Sequence, residues 1–215
     1  MADEESPSRA SGLRTDRMEA FSDGVFAIAV TLLVLEVGVP AGSEKDLLKA
    51  LGEEWPAYLG YLVSFATIGA VWIAHTVITE YLDHANSIFL RLNLLLLLVV
   101  SFLPFPTRLL ADYTHEPDAE RIAATVYGIN LLLSLIMVSV LWRYAVAEQL
   151  VRPDMADEDV RTLTKRFTPT LSVYVLVIVV GLFLPLLAVF GYLAIALFIL
   201  IPFGSIRRQQ KKKTA

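Results

Sequence analysis

The sequence predicts an all-α membrane protein with six transmembrane helices in each subunit. The first observation behind this fold class is that 56% of the 215 residues are hydrophobic. The second is that they form long blocks instead of the scattered pattern of amphipathic soluble helices. As a helix, a block of about 20 apolar residues crosses the roughly 30 Å hydrocarbon core of a bilayer.

Six apolar segments define the predicted helices. They lie at about 18–38, 56–79, 87–110, 121–146, 168–186 and 189–205. The third segment is expected to close at Pro104 and Pro106. The last apolar block, about 169–204, is too long for one span at about 1.5 Å per residue. Pro185 and Gly191 therefore predict a tight turn that divides this block into two short helices.

The basic residues favour cytoplasmic N and C termini. With six spans, 14 of the 18 Lys and Arg residues fall on the side of the termini, and four fall on the other side. Basic residues are retained in the cytoplasm, so this asymmetry predicts the orientation. Five spans would instead separate the basic clusters near the two termini. The four basic residues on the opposite side are Lys45, Lys49, Arg108 and Arg121.

Composition and loop lengths limit the domain organisation and the function classes. We expect a disordered cytosolic tail over 1–13, a transmembrane domain over 14–206 and a basic cytosolic tail over 207–215. The polar start lacks the features of a cleavable signal peptide. The net charge of −4 argues against nucleic acid as a partner, and the absence of cysteine excludes thiolate metal sites. No loop is long enough for a soluble enzyme domain.

Most of the functional inference comes from residues 17–39, where a polar cluster leads directly into an apolar helix. No charged residue lies between Asp23 and Glu36. Asp23 lies about 140° around the helix from Ile28, and Ser22 lies about 120° away on the other side. At 100° per residue, one stripe is shared by Gly24, Ile28, Thr31, Leu32 and Leu35. Taken alone, this stripe is typical of a lipid-facing or packing surface.

Polar residues on the next two spans can meet the polar end of the first helix. Trp72 and His75 lie one turn apart on the second span, and Asn93 lies near the start of the third. With six spans, His75 and Asn93 are expected at about the depth of Asp23. A structural cluster and a water-facing helix end both remain open, because Arg17 and Asp23 are near enough to the helix start to reach the interface.

The stretch RMEAFSDGVFAIAVTLLVLEV resembles the RxxxFSD signature of the transmembrane protein 175 family, the endolysosomal potassium channels and their prokaryotic relatives. Arg17, Phe21, Ser22 and Asp23 match all four signature positions. The animal members resemble two such units fused in one chain. This chain holds one unit, so the resemblance is to the prokaryotic form. It implies a homotetramer without cofactors in the plasma membrane of a prokaryote.

The resemblance also implies a pore lined by the first helix, with rings of aliphatic side chains instead of a carbonyl filter. Ile28 would form the main constriction, and Leu32 and Leu35 would form further rings. Thr31 and Gly24 would line the pore beside them. The implied structural polar network would consist of Arg17, Phe21, Ser22, Asp23, Trp72, His75 and Asn93.

The function implied is passive conduction of K⁺ across a lipid membrane, with Na⁺ and H⁺ less favoured. Glu36 would lie at the outer mouth, where it either attracts cations or forms an ordinary ion pair. The alternative is a cation- or proton-coupled secondary transporter, although we see no internal repeat and no break within the first helix. A membrane enzyme would need acid, base, nucleophile or metal ligands around His75, and no such motif accompanies it. The segment 125–128, TVYG, resembles part of a potassium filter but lies inside a continuous apolar helix.

Overall fold

The computed structural model describes residues 14–39, 46–113, 116–155 and 157–200. A 3₁₀ turn, Leu33–Glu36, extends the first helix. The helices are α1 (Asp16–Leu32), α2 (Leu47–Glu53), α3 (Trp55–Glu80), α4 (Ser87–Ser101), α5 (Pro104–Asp112), α6 (Pro117–Ala147), α7 (Asp157–Gly181) and α8 (Pro185–Leu200). The predicted tails, 1–13 and 207–215, lie outside the described residues.

Five helical segments of the described chain are long and apolar enough to cross a membrane. They are Asp16–Glu36, Trp55–Glu80, Ser87–Asp112, Pro117–Ala147 and Val160–Gly181. The last helix, α8, is apolar and has 16 residues up to Leu200. The helical membrane class is therefore confirmed, whereas the count of six spans stays a prediction.

Side chains at the helix starts account for two boundaries. Asn86 caps α4, because its side-chain oxygen accepts a hydrogen bond from the Phe89 backbone N–H at 2.8 Å. Asp46 caps α2 by accepting from the Lys49 backbone N–H at 3.4 Å. The helix α2 was not predicted, because a search for apolar blocks misses a seven-residue helix with no buried residue.

The two prolines that were expected to close the third span belong to the next helix, α5. Pro104 starts α5 instead of closing the third span, and Pro106 lies inside α5. A proline fits the first helical turn because its missing N–H would have no partner within the helix. The third span therefore bends after Ser101 and continues to Asp112.

The turn between the last two helices is confirmed, but the predicted bounds, 168–186 and 189–205, place it too late in the chain. The turn lies just before Pro185, and Gly191 lies inside α8. A Cβ atom at Gly191 would lie 2.9 Å from Val177 Cγ1, so the glycine allows α8 to approach α7 closely. In addition, α7 begins at Asp157, well before the predicted start at 168, and it contains Pro169.

The helix α6 is central to the bundle, since it packs against α3, α4, α5, α7 and α8. Its Trp142 and Tyr127 are fully buried, as are Tyr174 of α7 and Tyr192 of α8. The filter-like TVYG segment is part of this packing, because Tyr127 is an interior residue of a continuous helix. By contrast, α1 packs against α3 and α4 at one side of the bundle, which leaves one of its faces free.

Candidate functional site

The helix α1 has a buried face and an exposed face. The buried face consists of Met18, Ser22, Phe26 and Ala29, and Leu33 continues it into the 3₁₀ turn. On the opposite side, all five residues of the predicted stripe are exposed. Ile28 is 60% exposed and Leu35 is 72% exposed, although both are large aliphatic residues of a membrane-spanning segment. The stripe predicted from helical periodicity is thus a continuous uncovered surface of the subunit.

A chain of hydrogen bonds connects the buried face of α1 to α3 and α4. The Asn93 side chain donates from Nδ2 to the Ser22 hydroxyl oxygen at 2.9 Å. The Ser22 hydroxyl in turn donates to the Met18 carbonyl oxygen at 2.8 Å. His75 Nε2 lies 2.8 Å from Asn93 Oδ1, and because an amide oxygen only accepts, Nε2 carries the proton and donates. Three helices are therefore linked by side chains that are all buried.

Two further contacts join α1 to α3 at the same end. The Trp72 indole donates from Nε1 to Asp23 Oδ1 at 2.8 Å, and both side chains are exposed. The Phe26 ring contacts the His75 ring, with 5.5 Å between ring centroids and an angle of 55° between their planes. Asp23 therefore points along the side of the subunit, away from the centre of the stripe.

The other predicted residues at the start of α1 lie on the subunit surface. Arg17 and Phe21 are exposed, and no hydrogen bond or ion pair connects Arg17 to the other described residues. A Cβ atom added to Gly24 would have no neighbour within 4 Å. The structure thus brings Ser22, Asp23 and their partners together, but within one subunit it leaves Arg17 and Phe21 outside this network.

Thr31 carries the hydroxyl group of the exposed stripe. It donates its proton to the Ile28 carbonyl oxygen at 2.9 Å. A hydroxyl has two acceptor lone pairs in addition to its one donor. Because the donor is used inside the helix, the oxygen of Thr31 keeps its acceptor lone pairs on the exposed face.

Glu36 ends the 3₁₀ turn that follows α1, and it lies next to α5. Its carboxylate is 3.9 Å from the Arg108 guanidinium, which also lies 3.3 Å from Asp112. The Glu36 side chain is largely covered, whereas Arg108 is mostly exposed. Of the two interpretations of Glu36 that the sequence leaves open, the ion pair is the one formed within a single subunit.

A second polar network, which was not predicted, lies inside the subunit near the opposite ends of the helices. The Ser64 hydroxyl is 2.7 Å from the Thr107 hydroxyl and 2.8 Å from the Tyr127 hydroxyl. This joins α3, α5 and α6 at a buried point. Interhelical hydrogen bonds of this kind hold membrane helices in register.

Comparisons with known proteins identify the family. The family model of the endosomal/lysosomal potassium channel TMEM175 matches residues 17–104. A potassium channel of Chamaesiphon minutus is 43% identical over 157 residues, which cover 71% of this chain and 77% of that protein. A potassium channel of Streptomyces collinus is 44% identical over 127 residues, which cover 59% of this chain and 62% of that protein.

A solved structure agrees with these sequence matches. The crystal structure of a lysosomal potassium-selective channel TMEM175 homolog from Chamaesiphon minutus aligns with a TM-score of 0.78. The alignment covers 86% of this chain and 95% of that chain, at 37% sequence identity. The resemblance inferred from Arg17, Phe21, Ser22 and Asp23 is thereby confirmed. The chain belongs to the TMEM175 family of membrane channels.

Proposed function

We propose that this chain is one subunit of a homotetrameric, potassium-preferring cation channel in the plasma membrane of a prokaryote, with cytoplasmic termini. The observation that carries this proposal is the exposed row formed by Ile28 and Leu32 on α1 and Leu35 in the 3₁₀ turn that extends it. The opposite face of α1 is bonded to its own subunit, so α1 keeps this orientation. Four copies of the row around one axis would form the rings of a narrow apolar pore.

The proposed pore needs several subunits, because one helix cannot enclose a path. From Gly24 to Leu35 the stripe extends about 16 Å along α1 and the 3₁₀ turn, roughly half of the 30 Å hydrocarbon core. The remaining length toward the cytoplasm carries the polar residues of the signature. A pore of this design therefore has a short apolar constriction with more polar surroundings on one side.

Apolar rings of this kind close a pore by excluding water. A small widening would admit a cation that has lost part of its hydration shell, with the Thr31 oxygen available as a replacement ligand. K⁺ loses water more easily than Na⁺, because its larger radius weakens the Coulomb attraction to water dipoles. The constriction would then prefer K⁺ without the ordered carbonyl rings of a classical filter.

The test is the reversal potential of the full chain reconstituted into planar bilayers, with K⁺ on one side and Na⁺ on the other. Reversal toward the K⁺ equilibrium potential is the expected result. Reversal near zero, with measurable current, would contradict the preference for K⁺ but keep a cation pore. A proton gradient in otherwise symmetric solutions would measure H⁺ permeation separately. Absence of current, combined with tracer flux that needs a counter-ion, would favour the secondary transporter.

A further inference from the structure

A cavity of about 870 Å³ lies between α3, α6, α7 and α8, away from the exposed stripe of α1. This volume is in the range of pockets that hold whole small molecules. Its walls are mainly aliphatic and aromatic. They include Val71 and Ile78 on α3, Leu135 and Val138 on α6, and Ile195 and Phe198 on α8.

The wall formed by α7 has a polar end and an apolar end. Thr162, Lys165, Pro169 and Val173 succeed one another along one stripe of α7 that lines the cavity. The stripe is about 16 Å long in all, and it begins with a hydroxyl and an ammonium group and continues with apolar side chains. The cavity therefore matches a long molecule that is anionic or polar at one end and apolar along the rest.

Lys165 is a cation available to such a molecule. Its side chain is exposed, and none of the ion pairs among the described side chains involves it. Arg161 lies one turn earlier on α7 and adds a second positive charge, whereas Glu158 adds one negative charge. Among the residues that line the cavity, however, Lys165 is the charged one, and it marks the polar end.

The polar end is also held in place. The indole of Trp142 donates from Nε1 to the Thr164 hydroxyl at 2.9 Å, next to Lys165 in the chain. Trp142 is fully buried and lines the cavity. This bond fixes α6 against α7 beside the cation.

We propose that this cavity binds an anionic phospholipid, with an acyl chain between the helices and the headgroup phosphate at Lys165. In the predicted orientation this end faces the cytoplasmic leaflet, where basic pockets between membrane helices bind anionic headgroups. The apolar walls shield the acyl chain, and the phosphate neutralises a cation that has no partner among the described residues. A bound lipid would thereby fill a space that otherwise separates α7 from α3.

The experiment measures lipid binding to the purified full chain by native mass spectrometry, with phosphatidylglycerol and phosphatidylcholine of the same acyl chains. We expect tighter binding of phosphatidylglycerol. Lys165→Glu should weaken it at least about fivefold and remove the preference for the anionic lipid. Lys165→Arg should retain it. Ala194→Trp, which places an indole in the cavity, should weaken both lipids. Arg121→Glu, an exposed cation near the opposite end of α6, is the matched control and should change neither.

Several results would overturn the proposal. Equal binding of the two lipids, or equal effects of Lys165→Glu and Arg121→Glu, would remove Lys165 as the headgroup site. Unchanged binding in Ala194→Trp would remove the cavity as the acyl-chain site. A full chain that binds no lipid, but gains binding when residues 201–215 are deleted, would assign the cavity to the chain's own C-terminal segment. Each variant is checked by size-exclusion chromatography, and Lys165→Gln replaces Lys165→Glu if the latter aggregates.

Discussion

The Asn93 side-chain amide donates a hydrogen bond to the Ser22 hydroxyl oxygen, 2.9 Å away, and so ties α4 to the buried face of α1. The same amide accepts from His75 on α3. Asn93→Ala would leave two buried polar groups without this partner. We expect it to destabilise the purified protein by about 1 kcal/mol, since interhelical hydrogen bonds in membranes contribute about 0.6 kcal/mol on average and about 1.7 kcal/mol at most in double-mutant cycles. Thermal unfolding in detergent measures the change.

A double-mutant cycle separates this bond from simple loss of packing. Ser22→Ala removes the acceptor, and the double variant Ser22→Ala with Asn93→Ala removes both groups. If the hydrogen bond matters, the two losses of stability are less than additive. Fully additive losses would contradict a direct interaction between Ser22 and Asn93. Asn86→Ala, which removes the cap of α4 elsewhere on the same helix, is the control and should be additive with Ser22→Ala.

The pair between Asp23 and Trp72 gives the second prediction. Because Asp23 is bonded to α3 and lies off the stripe, its expected role is to hold α1 in the orientation that assembly requires. Asp23→Ala should reduce the tetramer recovered from detergent, as measured by size-exclusion chromatography with light scattering. Asp16→Ala removes an exposed carboxylate of the same helix end, which pairs with Arg14, and should leave assembly unchanged. A stable Asp23→Ala tetramer with altered conductance would instead locate Asp23 in the ion path.

Part of this site could be predicted from the sequence because it depends on one helix at a time. The exposed stripe follows from a rotation of 100° per residue along α1, and Ile28 and Leu35 both lie on it. The common depth of Asp23, His75 and Asn93 follows from the order of the spans alone. Neither inference requires knowledge of how neighbouring helices are rotated.

The rest depends on the rotation of several helices relative to one another. Ser64 on α3 bonds to Thr107 and Tyr127, which lie 43 and 63 residues further along the chain. Nothing in the sequence near Ser64 specifies these partners. The position of Gly191 inside α8 is a similar case, because a glycine at a turn and a glycine at a tight helix contact look alike in one sequence.

Gly128 gives the third prediction, because it faces the buried Tyr192 side chain of α8. A Cβ atom there would overlap the Tyr192 ring and lie 2.9 Å from Ile178 Cγ1. Alanine gains about 1 kcal/mol over glycine inside a helix, but overpacking a buried site costs about 1–3 kcal/mol. Because Tyr192 is fully buried, we expect the cost of overpacking to exceed the gain in helix propensity. Gly128→Ala should therefore lower the melting temperature.

The control for this change is Gly24→Ala, which has open space around it within the subunit. It should leave the melting temperature of the subunit unchanged or raise it. If Gly128→Ala were as stable as Gly24→Ala, α6 and α8 would have to separate without cost, contrary to the close packing observed between them. Circular dichroism of both variants during heating in detergent makes the comparison.

The ion pair of Glu36 and Arg108 gives the fourth prediction. If Glu36 lies at the outer mouth, four carboxylates would concentrate cations there, and Arg108 would partly neutralise them. Glu36→Gln should then lower K⁺ conductance at low ionic strength, and Arg108→Gln should raise it. Both effects should fade near 1 M salt, where charges are screened over about 3 Å. Glu53→Gln, an exposed carboxylate of α2, is the control. Unchanged conductance in both variants would reduce the pair to a structural contact.

The constriction proposed at Ile28 gives the last prediction. Ile28→Asn replaces an apolar ring with amide groups that hold water, so it should raise conductance and weaken the preference for K⁺ over Na⁺. Leu98→Asn is the matched control, because Leu98 is 64% exposed on α4 and Ile28 is 60% exposed on α1. If Leu98 faces lipid, its substitution should alter yield or stability while the reversal potential of the assembled channel stays the same. Single-channel recordings in K⁺ and Na⁺ compare the two variants. Equal permeation in Ile28→Asn and the unmodified chain would remove Ile28 from the pore and leave the stripe of α1 as a lipid-facing or packing surface.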